Sequence, residues 1–366
     1  MHILNMKKPY KSFIELAKKY GPVYSIQIGE EKMVILSGYE TVRDALVNHA
    51  DEFSGRPIIP LFHDLEKGHD FGMGSKTIED RILQECDCLV KKFKSFKGEP
   101  FDNRMIINAA VGNIIVSILL SHRFDYEDPT MLKLLKIVNE NTEILGSPTA
   151  MEQPNHKLCY TDENLTSLVT ALFAAGIDTT STTLRWGILL MITYPDIQRK
   201  VQSEIEKVIG SSAPHTGHRK NMPYTDAVIH EIQRFGDIVP TNLSHSTTQD
   251  VNFRGYFLPK GTHVIPLLTS VLFDEAHFKR PKEFYPEHFL DASGNFVKNE
   301  AFIPFSAGKR SCAGETLAKM ELFLFFVSLL QNFTFQAPPG VMLSLESAVG
   351  FTRSPLSHKI CAVSRV

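Results

Sequence analysis

Long apolar runs, cysteine, tryptophan and excess charge are all scarce in this chain of 366 residues. No run approaches the roughly 18 to 20 apolar residues that a membrane-spanning helix needs. The five cysteines (Cys86, Cys88, Cys159, Cys312, Cys361) are odd in number and irregularly spaced. That fits a reducing compartment better than a disulfide scaffold. Cys86 and Cys88 stand two apart on a predicted helix, hence on different faces, which argues against a shared metal site. Lys+Arg 39 against Asp+Glu 41 leaves no electrostatic reason to expect a nucleic-acid partner. Residues 1–20, with Lys7, Lys8, Lys11, Lys18 and Lys19, read as a basic surface helix rather than a signal peptide. The ordinary remainder, 43% apolar and 22% charged, is that of a soluble globular protein long enough for a large core.

Against this background one cysteine stands in a distinctive setting. Phe305-Ser306-Ala307-Gly308-Lys309-Arg310-Ser311-Cys312-Ala313-Gly314 places Cys312 at the end of a glycine-punctuated loop. A buried helix follows over 315–331, with Leu317, Met320, Leu322, Leu324 and Phe325 in its apolar pattern. Gly308 and Gly314 permit a tight turn and a close approach to a flat partner. A helix N-terminus with Lys309 and Arg310 alongside predicts a depressed thiol pKa and a thiolate. Such a thiolate serves as nucleophile, redox centre or metal ligand. A lone cysteine, by contrast, is usually a small buried hydrophobe.

Upstream, the pattern predicts helices over 9–19, 39–47, 76–96, 104–120, 132–145, 196–208 and 225–235, and a hairpin pairing 23–28 with 33–36. Further strands are expected at 251–253, 255–257, 260–262, 263–266 and 359–363. Residues 53–74 read as loop and 148–160 as a polar connector. Between the connector and Tyr194-Pro195 runs a helix of thirty-odd residues, roughly 48 Å long. Its interior holds Ala175-Gly176-Ile177-Asp178-Thr179-Thr180. Glycine there costs about 1 kcal/mol and each threonine several tenths, and such local misfits tend to mark functional sites. A solvated polar patch would account for Asp178 and Thr179 but not for Gly176 in an apolar run. Glu231 and Arg234 share a face of the 225–235 helix, a pairing that by itself is usually a surface ion pair worth little.

Together these segments resemble the cytochrome P-450 monooxygenases. The Phe-x-x-Gly-x-Arg-x-Cys-x-Gly pattern is filled at Phe305, Gly308, Arg310, Cys312 and Gly314. The segment 175–180 is similar to that family's distal oxygen-binding helix, and Glu231-x-x-Arg234 to its structural helix. The partner of that pair is the Pro286-Glu287-His288-Phe289 segment, with His288 where arginine is commonest. The phrase Asn221-Met222-Pro223-Tyr224-Thr225-Asp226 reads as the microsomal family 2 branch. The resemblance covers essentially all 366 residues as a single haem domain. It implies a mainly helical fold with a minor β region and a haem b cofactor whose iron takes Cys312 as axial ligand. It implies propionate contacts from Arg310 and His245, with Lys67 at a third position, and a haem-facing role for Ala175 and Gly176. Thr179 would hold activated dioxygen, Asp178 would relay protons, and Val239, Thr241, Asn242, Leu243 and Phe351 would line the substrate pocket. The implied partners are O₂, a small apolar substrate (xenobiotic, fatty acid or steroid-like), an NADPH-dependent cytochrome P-450 reductase and cytochrome b5. The expected place is the cytosolic face of the endoplasmic reticulum, where full-length relatives are membrane-bound.

Three departures qualify the resemblance. The N-terminal membrane anchor and its hinge are lacking. Gly68-His69-Asp70 runs straight into Phe71-Gly72-Met73-Gly74, where the family carries a helix with Trp-x-x-x-Arg. The sole tryptophan, Trp186, lies in the long helix, so that helix is not elsewhere. The connector 148–160 stands where several helices roof the substrate pocket. The clean joins point to skipped coding segments or a faulty gene model rather than gradual loss. Losing two charge-assisted bonds to a propionate forfeits about 3–6 kcal/mol, on the order of 10² to 10⁴ in haem affinity. Two readings therefore stand: a working monooxygenase, or a non-catalytic truncated product that binds haem weakly or not at all. A redox or nucleophilic role for Cys312 lacks a paired histidine or resolving cysteine. The acid–alcohol pair speaks against a haem-thiolate isomerase or dehydratase.

Overall fold

A computed structural model describes residues 8–29, 31–57, 75–145, 162–348 and 350–365. Lys67, the 70/71 join and the connector 148–160 lie outside them. The fold is mainly helical with a minor β component, as the patterns imply. Helix α1 (Pro9–Tyr20) opens with proline in its first turn, where no amide bond is lost, and buries Phe13 and Leu16. β1 (Val23–Ile28) and β2 (Glu31–Leu36) form the expected hairpin, so Glu31 and Lys32 are strand rather than turn. Helix α2 (Tyr39–Arg43) relaxes into a π-turn at Asp44–Asn48.

Helices α3 (Ser75–Ser95), α4 (Arg104–Leu120), α5 (Pro129–Leu145), α6 (Asp162–Thr193), α7 (Pro195–Val208) and α8 (Pro223–Gly236) build the helical body, closed by α10 (Glu315–Asn332). α4 is buried on every side from Ile107 to Val116, and α10 from Glu321 to Leu330. Helices apolar all round belong inside, and both pack on α6 through Ile114, Leu189 and Phe325 of the largest core.

The sheets lie at the margins. β4 (His245–Ser246) and β7 (His263–Pro266) extend the hairpin in the order β1-β2-β7-β4, with β2 and β7 parallel. β3 (Phe101–Asp102), β9 (Lys359–Ser364) and β8 (Phe333–Gln336) make a second sheet, and β5 (Val251–Phe253) with β6 (Tyr256–Leu258) a third. The segment 260–262, expected as strand, is instead the turn leading into β7. β3, β4, β8 and the short helix α9 (Leu268–Leu272) had no legible pattern, since two to five residues are too few to display a period.

Two buried assemblies seat the cysteine loop. In the first, Arg234 and Glu231 are both fully buried. The Arg234 guanidinium spends all five N–H donors: Nε and Nη2 on Glu231 at 2.8 and 2.7 Å, the others on the carbonyls of Leu272, Pro281 and Glu283. Glu231 also accepts from the Tyr285 amide at 2.8 Å, and His288 Nδ1 lies 3.1 Å from its Oε2. The Arg280 amide donates to His288 Nε2 at 3.3 Å, so Nδ1 carries the proton and His288 donates to Glu231. This is no solvated surface pair. A buried pair so completely bonded loses about 3–5 kcal/mol when one partner is removed.

The second assembly is a close contact of backbones. Phe302, Ile303 and Ala307 pack on the core formed by Leu46, Phe53, Phe253, Phe278 and Phe289. At Gly308 (φ +71°) an added Cβ would stand 1.7 Å from the carbonyl oxygen of Leu46, inside the π-turn. Only glycine fits. Beyond the loop, the Glu321 carboxyl in α10 accepts a hydrogen bond from Thr180 of α6 and is pushed up from 4.5 to about 8, burial being the main cause.

Gly340 has a similar φ (+74°) but nothing within 4 Å of an added Cβ. Gly340→Ala should therefore show backbone strain alone, about 1–2 kcal/mol, and Gly308→Ala at least twice that in urea denaturation. Equal losses would contradict the Leu46 seat. Because the folded chain keeps Glu321 protonated while the unfolded chain ionises it, stability falls as pH rises from about 4.5 to about 8. Glu321→Gln removes that term, so the variant should be more stable by a few kcal/mol at pH 8, the gap closing by pH 4. A gap independent of pH would rule out the neutral buried carboxyl.

Candidate functional site

The cysteine backbone is locked by its amide, which donates to the Phe305 carbonyl at 2.9 Å. Ser306, itself at φ +64°, is held by the Asn242 amide, whose Nδ2 donates to Ser306 Oγ at 2.9 Å. Asn242 Oδ1 meanwhile accepts the Leu243 amide at 2.8 Å. Asn242 thus serves the loop's geometry rather than presenting its side chain to a pocket. Phe305 is half-buried, with Lys319 Nζ 5.7 Å from its ring centroid.

The thiol does not behave as expected from its neighbours in sequence. Although Cys312 is exposed, the protein around the sulfur desolvates a thiolate and raises its pKa, against the lowering effect of a hydrogen bond from the Gly314 amide; Glu315 adds to the rise. Lys309 turns away to pair with Asp51, and Arg310 Nε donates to the Ser54 carbonyl at 2.6 Å. Neither cation therefore stands at the sulfur to lower its pKa. Deprotonation would come with a metal, which binds only the thiolate.

Across from α10, Leu317 packs into the cluster of Phe173 and Ile177, which places α6 beside the first turns after the cysteine. Gly176 sits on α6 with its missing side chain directed at α4, where an added Cβ would come within 2.9 Å of Ile115 Cδ1. Helix packing accounts for this glycine. Thr179 Oγ1 donates to the Ala175 carbonyl at 2.6 Å, the i−4 bond that lets a threonine sit in a helix while keeping its oxygen as acceptor. Asp178 is buried rather than surface-facing. Burial raises its pKa, opposed by a 2.6 Å hydrogen bond from Thr352 Oγ1 to its Oδ2 and by Arg104 and Arg185. Nothing in the spacing of Thr352 announced this partnership, because its 174-residue separation from Asp178 is closed only by the fold.

His245 is 1% exposed. Its Nδ1 lies 2.7 Å from the Phe53 carbonyl, an acceptor, so Nδ1 is the donor. Nε2 is buried without a partner among the described residues. The imidazole is pushed down to about 4, first by burial, then by Arg56 and Arg310. Arg56 is held by the carbonyls of Ser244 and Leu243 at 2.9 and 3.4 Å, a placement the sequence offered no sign of. An anion beside Nε2 would be met by two guanidinium groups and would draw a proton onto the ring. Val239, Thr241 and Leu243 are half-buried on the segment between α8 and β4, and Phe351 is half-buried near the C-terminus. A cleft of about 480 Å³ between Lys94, Phe333 and Val363 lies at the opposite end of α10 from Cys312 and carries no group suited to this chemistry.

These features suit a flat, metal-bearing group with anionic arms. Cys312, Ala313 and Gly314 are exposed, as is Ala175 in the middle of α6. At Gly314 an added Cβ would meet only Cys312 Sγ, at 3.9 Å, so protein packing does not demand glycine there. Among the described residues no three His, Cys, Asp or Glu converge on one point. His245 supplies the orphaned group for an acidic arm.

The comparisons agree with that chemistry. The family model described as Cytochrome P450 matches residues 1–73, 67–159 and 149–362. Cytochrome P-450 2K6 of Danio rerio is 42% identical, the match covering 100% of this chain and 89% of the relative. Cytochrome P-450 2K1 of Oncorhynchus mykiss is 42% identical (99% and 89%), and cytochrome P-450 2C5 of Oryctolagus cuniculus 40% (98% and 91%). The 2K6 alignment spans 450 positions against 366 residues here, so at least 84 positions of that relative have no counterpart. The three matched pieces meet at 67–73 and 149–159. The chain belongs to the cytochrome P-450 family, oxidoreductases of the monooxygenase type with haem as cofactor, and its relatives are members of the 2K and 2C groups.

Proposed function

We propose that this chain inserts one oxygen atom of O₂ into a small apolar substrate, xenobiotic, fatty acid or steroid-like, with electrons from an NADPH-dependent cytochrome P-450 reductase. The observation that carries the reading is Cys312 just ahead of α10, whose first turns pack on α6, the helix that bears the acid–alcohol pair, with an orphaned buried histidine on β4. Haem ligated by a cysteine thiolate supplies dioxygen activation, the thiolate's electron donation favouring O–O cleavage. Cys312 is the ligand, its loop fixed by Phe305 and Gly308. Gly314 and Ala175, both exposed, would leave room for the flat group, while Gly176 next to Ala175 packs against Ile115. Arg310 and His245 hold the acidic arms, and Lys67 is a further candidate.

Thr179, its Oγ1 proton given to the Ala175 carbonyl, would offer that oxygen as an acceptor to dioxygen held at the site. Asp178, buried and with a raised pKa, exchanges protons near neutral pH more readily than an ordinary carboxylate. Val239, Thr241, Leu243 and Phe351 contribute apolar or small surface to the substrate pocket, while Asn242 supports it from behind. Cytochrome b5 is a further electron donor in this reading, and the cytosolic face of the endoplasmic reticulum its place. Among the described residues no helix is long and apolar enough to cross a membrane.

A second reading, a truncated product without turnover, is favoured by the 84 or more unmatched positions and by the meeting of the matched pieces at 67–73 and 149–159. NADPH consumption with reductase and an apolar test substrate separates the two. Product linked to NADPH supports the monooxygenase; none, from haem-loaded protein, supports the second reading. In the first case Thr179→Ala should keep its haem and divert reducing equivalents to hydrogen peroxide, product per NADPH falling at least ten-fold. Unchanged coupling would remove Thr179 from the mechanism.

A further inference from the structure

The segment Thr352–Pro355 is fastened along one face of α6. Thr352 Oγ1 donates to Asp178 Oδ2 at 2.6 Å, and Ser354 Oγ lies 3.2 Å from Thr182 Oγ1. Trp186 Nε1 donates to the Arg353 carbonyl at 2.7 Å, and Arg185 Nη2 to the Pro355 carbonyl at 3.5 Å. Asp178, Thr182, Arg185 and Trp186 follow the i, i+4, i+7, i+8 spacing of one helix face. All four are buried, as is Thr352. The Arg353 guanidinium covers the Trp186 ring at 5.4 Å and donates to the Phe235 carbonyl, and the Ala348 amide donates to the Ser354 carbonyl. The segment is thus pinned from both sides.

A carboxyl held by one oxygen keeps the other in a fixed direction, where it can exchange protons. Oδ2 of Asp178 is fixed by Thr352, the one side-chain hydroxyl bonded to it among the described residues. The charged groups facing Asp178 are Arg104 at the start of α4 and Arg185 two turns along α6, and Arg185 interacts in turn with Asp102 and His358.

We propose that Thr352 is a positioning residue that holds the Asp178 carboxyl by Oδ2 and leaves Oδ1 to exchange protons. The use of this hold in proton delivery rests on the monooxygenase reading above; the hold itself does not.

Thr352→Val keeps the shape and removes the donor, and Thr352→Ser restores the hydroxyl. The measurement is an infrared pH titration of the haem-loaded protein, the Asp178 carboxyl band being assigned by its loss in Asp178→Asn. Thr352→Val should titrate at higher pH, because the lost bond favoured the charged form; at a fixed pH the carboxylate-to-carboxyl ratio should fall about ten-fold. Thr352→Ser should return it. In parallel, peroxide formed per NADPH should rise several-fold in Thr352→Val and recover in Thr352→Ser, with haem content unchanged. Titration of Thr352→Val at the wild-type pH, or no recovery in the serine variant, overturns the proposal. Should the valine variant not fold, Thr352→Ala is read in the same way. Wild-type protein without NADPH-linked product would defeat the monooxygenase reading and the delivery role together, while the titration still decides the hold. Wild-type turnover with an unshifted Thr352→Val would defeat only the hold.

Discussion

A cysteine can serve as an axial metal ligand only if the backbone around it is held against the pull of the metal and the approach of a flat group. In this chain that constraint is met by the contact of Gly308 with the Leu46 carbonyl, where no Cβ fits. Much else follows from it. Leu46 is presented by a π-turn, in which the i→i+5 bonding shifts the carbonyl out of line with an ordinary helix. That turn rests on the core shared with Phe302, Ile303 and Ala307. On the far side of the same core, Glu231, Arg234 and His288 bind together the backbone from Leu272 to Tyr285. A bare thiol in this setting is less acidic than usual. What the bonded loop supplies to Cys312 is rigidity.

The distal side follows a different rule. Gly176 lets α4 and α6 approach, Thr179 folds its hydroxyl back onto the helix, and Asp178 is buried with a single hydroxyl to orient it. A helix with such a stretch would be marginal alone. Here α4, α10 and the segment 352–355 surround it, and the packing compensates for the poor local propensities. The same arrangement explains why Glu321 stays neutral: it faces α6 inside the core, with Thr180 the one group bonded to it among the described residues.

How much of this was legible beforehand depended on how local the cause was. Helix α6 and its break at Tyr194-Pro195, the hairpin, α4, α10 and the cysteine loop all have causes within a few residues, and their patterns showed them. The buried status of Glu231 and Arg234 required the loop 280–288, yet the Pro-Glu-His-Phe segment pointed to it by resemblance. What stayed hidden was settled by distant partners. The Cys312 thiol was expected to be acidic because Lys309 and Arg310 are adjacent in sequence, but each is taken by the segment 51–54. Gly176 was read as making room at a site, and it makes room for Ile115. Asn242 was placed at a pocket wall, and it props Ser306. Thr352 and Arg56 gave no sign at all, since their roles come from pairings 174 and 188 residues away.

The central claim is that Cys312 in its rigid loop can bind haem iron as a thiolate even though at least 84 positions of the 2K6 relative have no counterpart in the chain. Its most direct test is the carbon-monoxide difference spectrum of the haem-supplemented, dithionite-reduced protein, with Cys312→Ser alongside. A long-wavelength, thiolate-type Soret band in the wild type, absent from Cys312→Ser, is the predicted result. A band only at the shorter wavelength of a neutral ligand, or the same spectrum from both proteins, would contradict it.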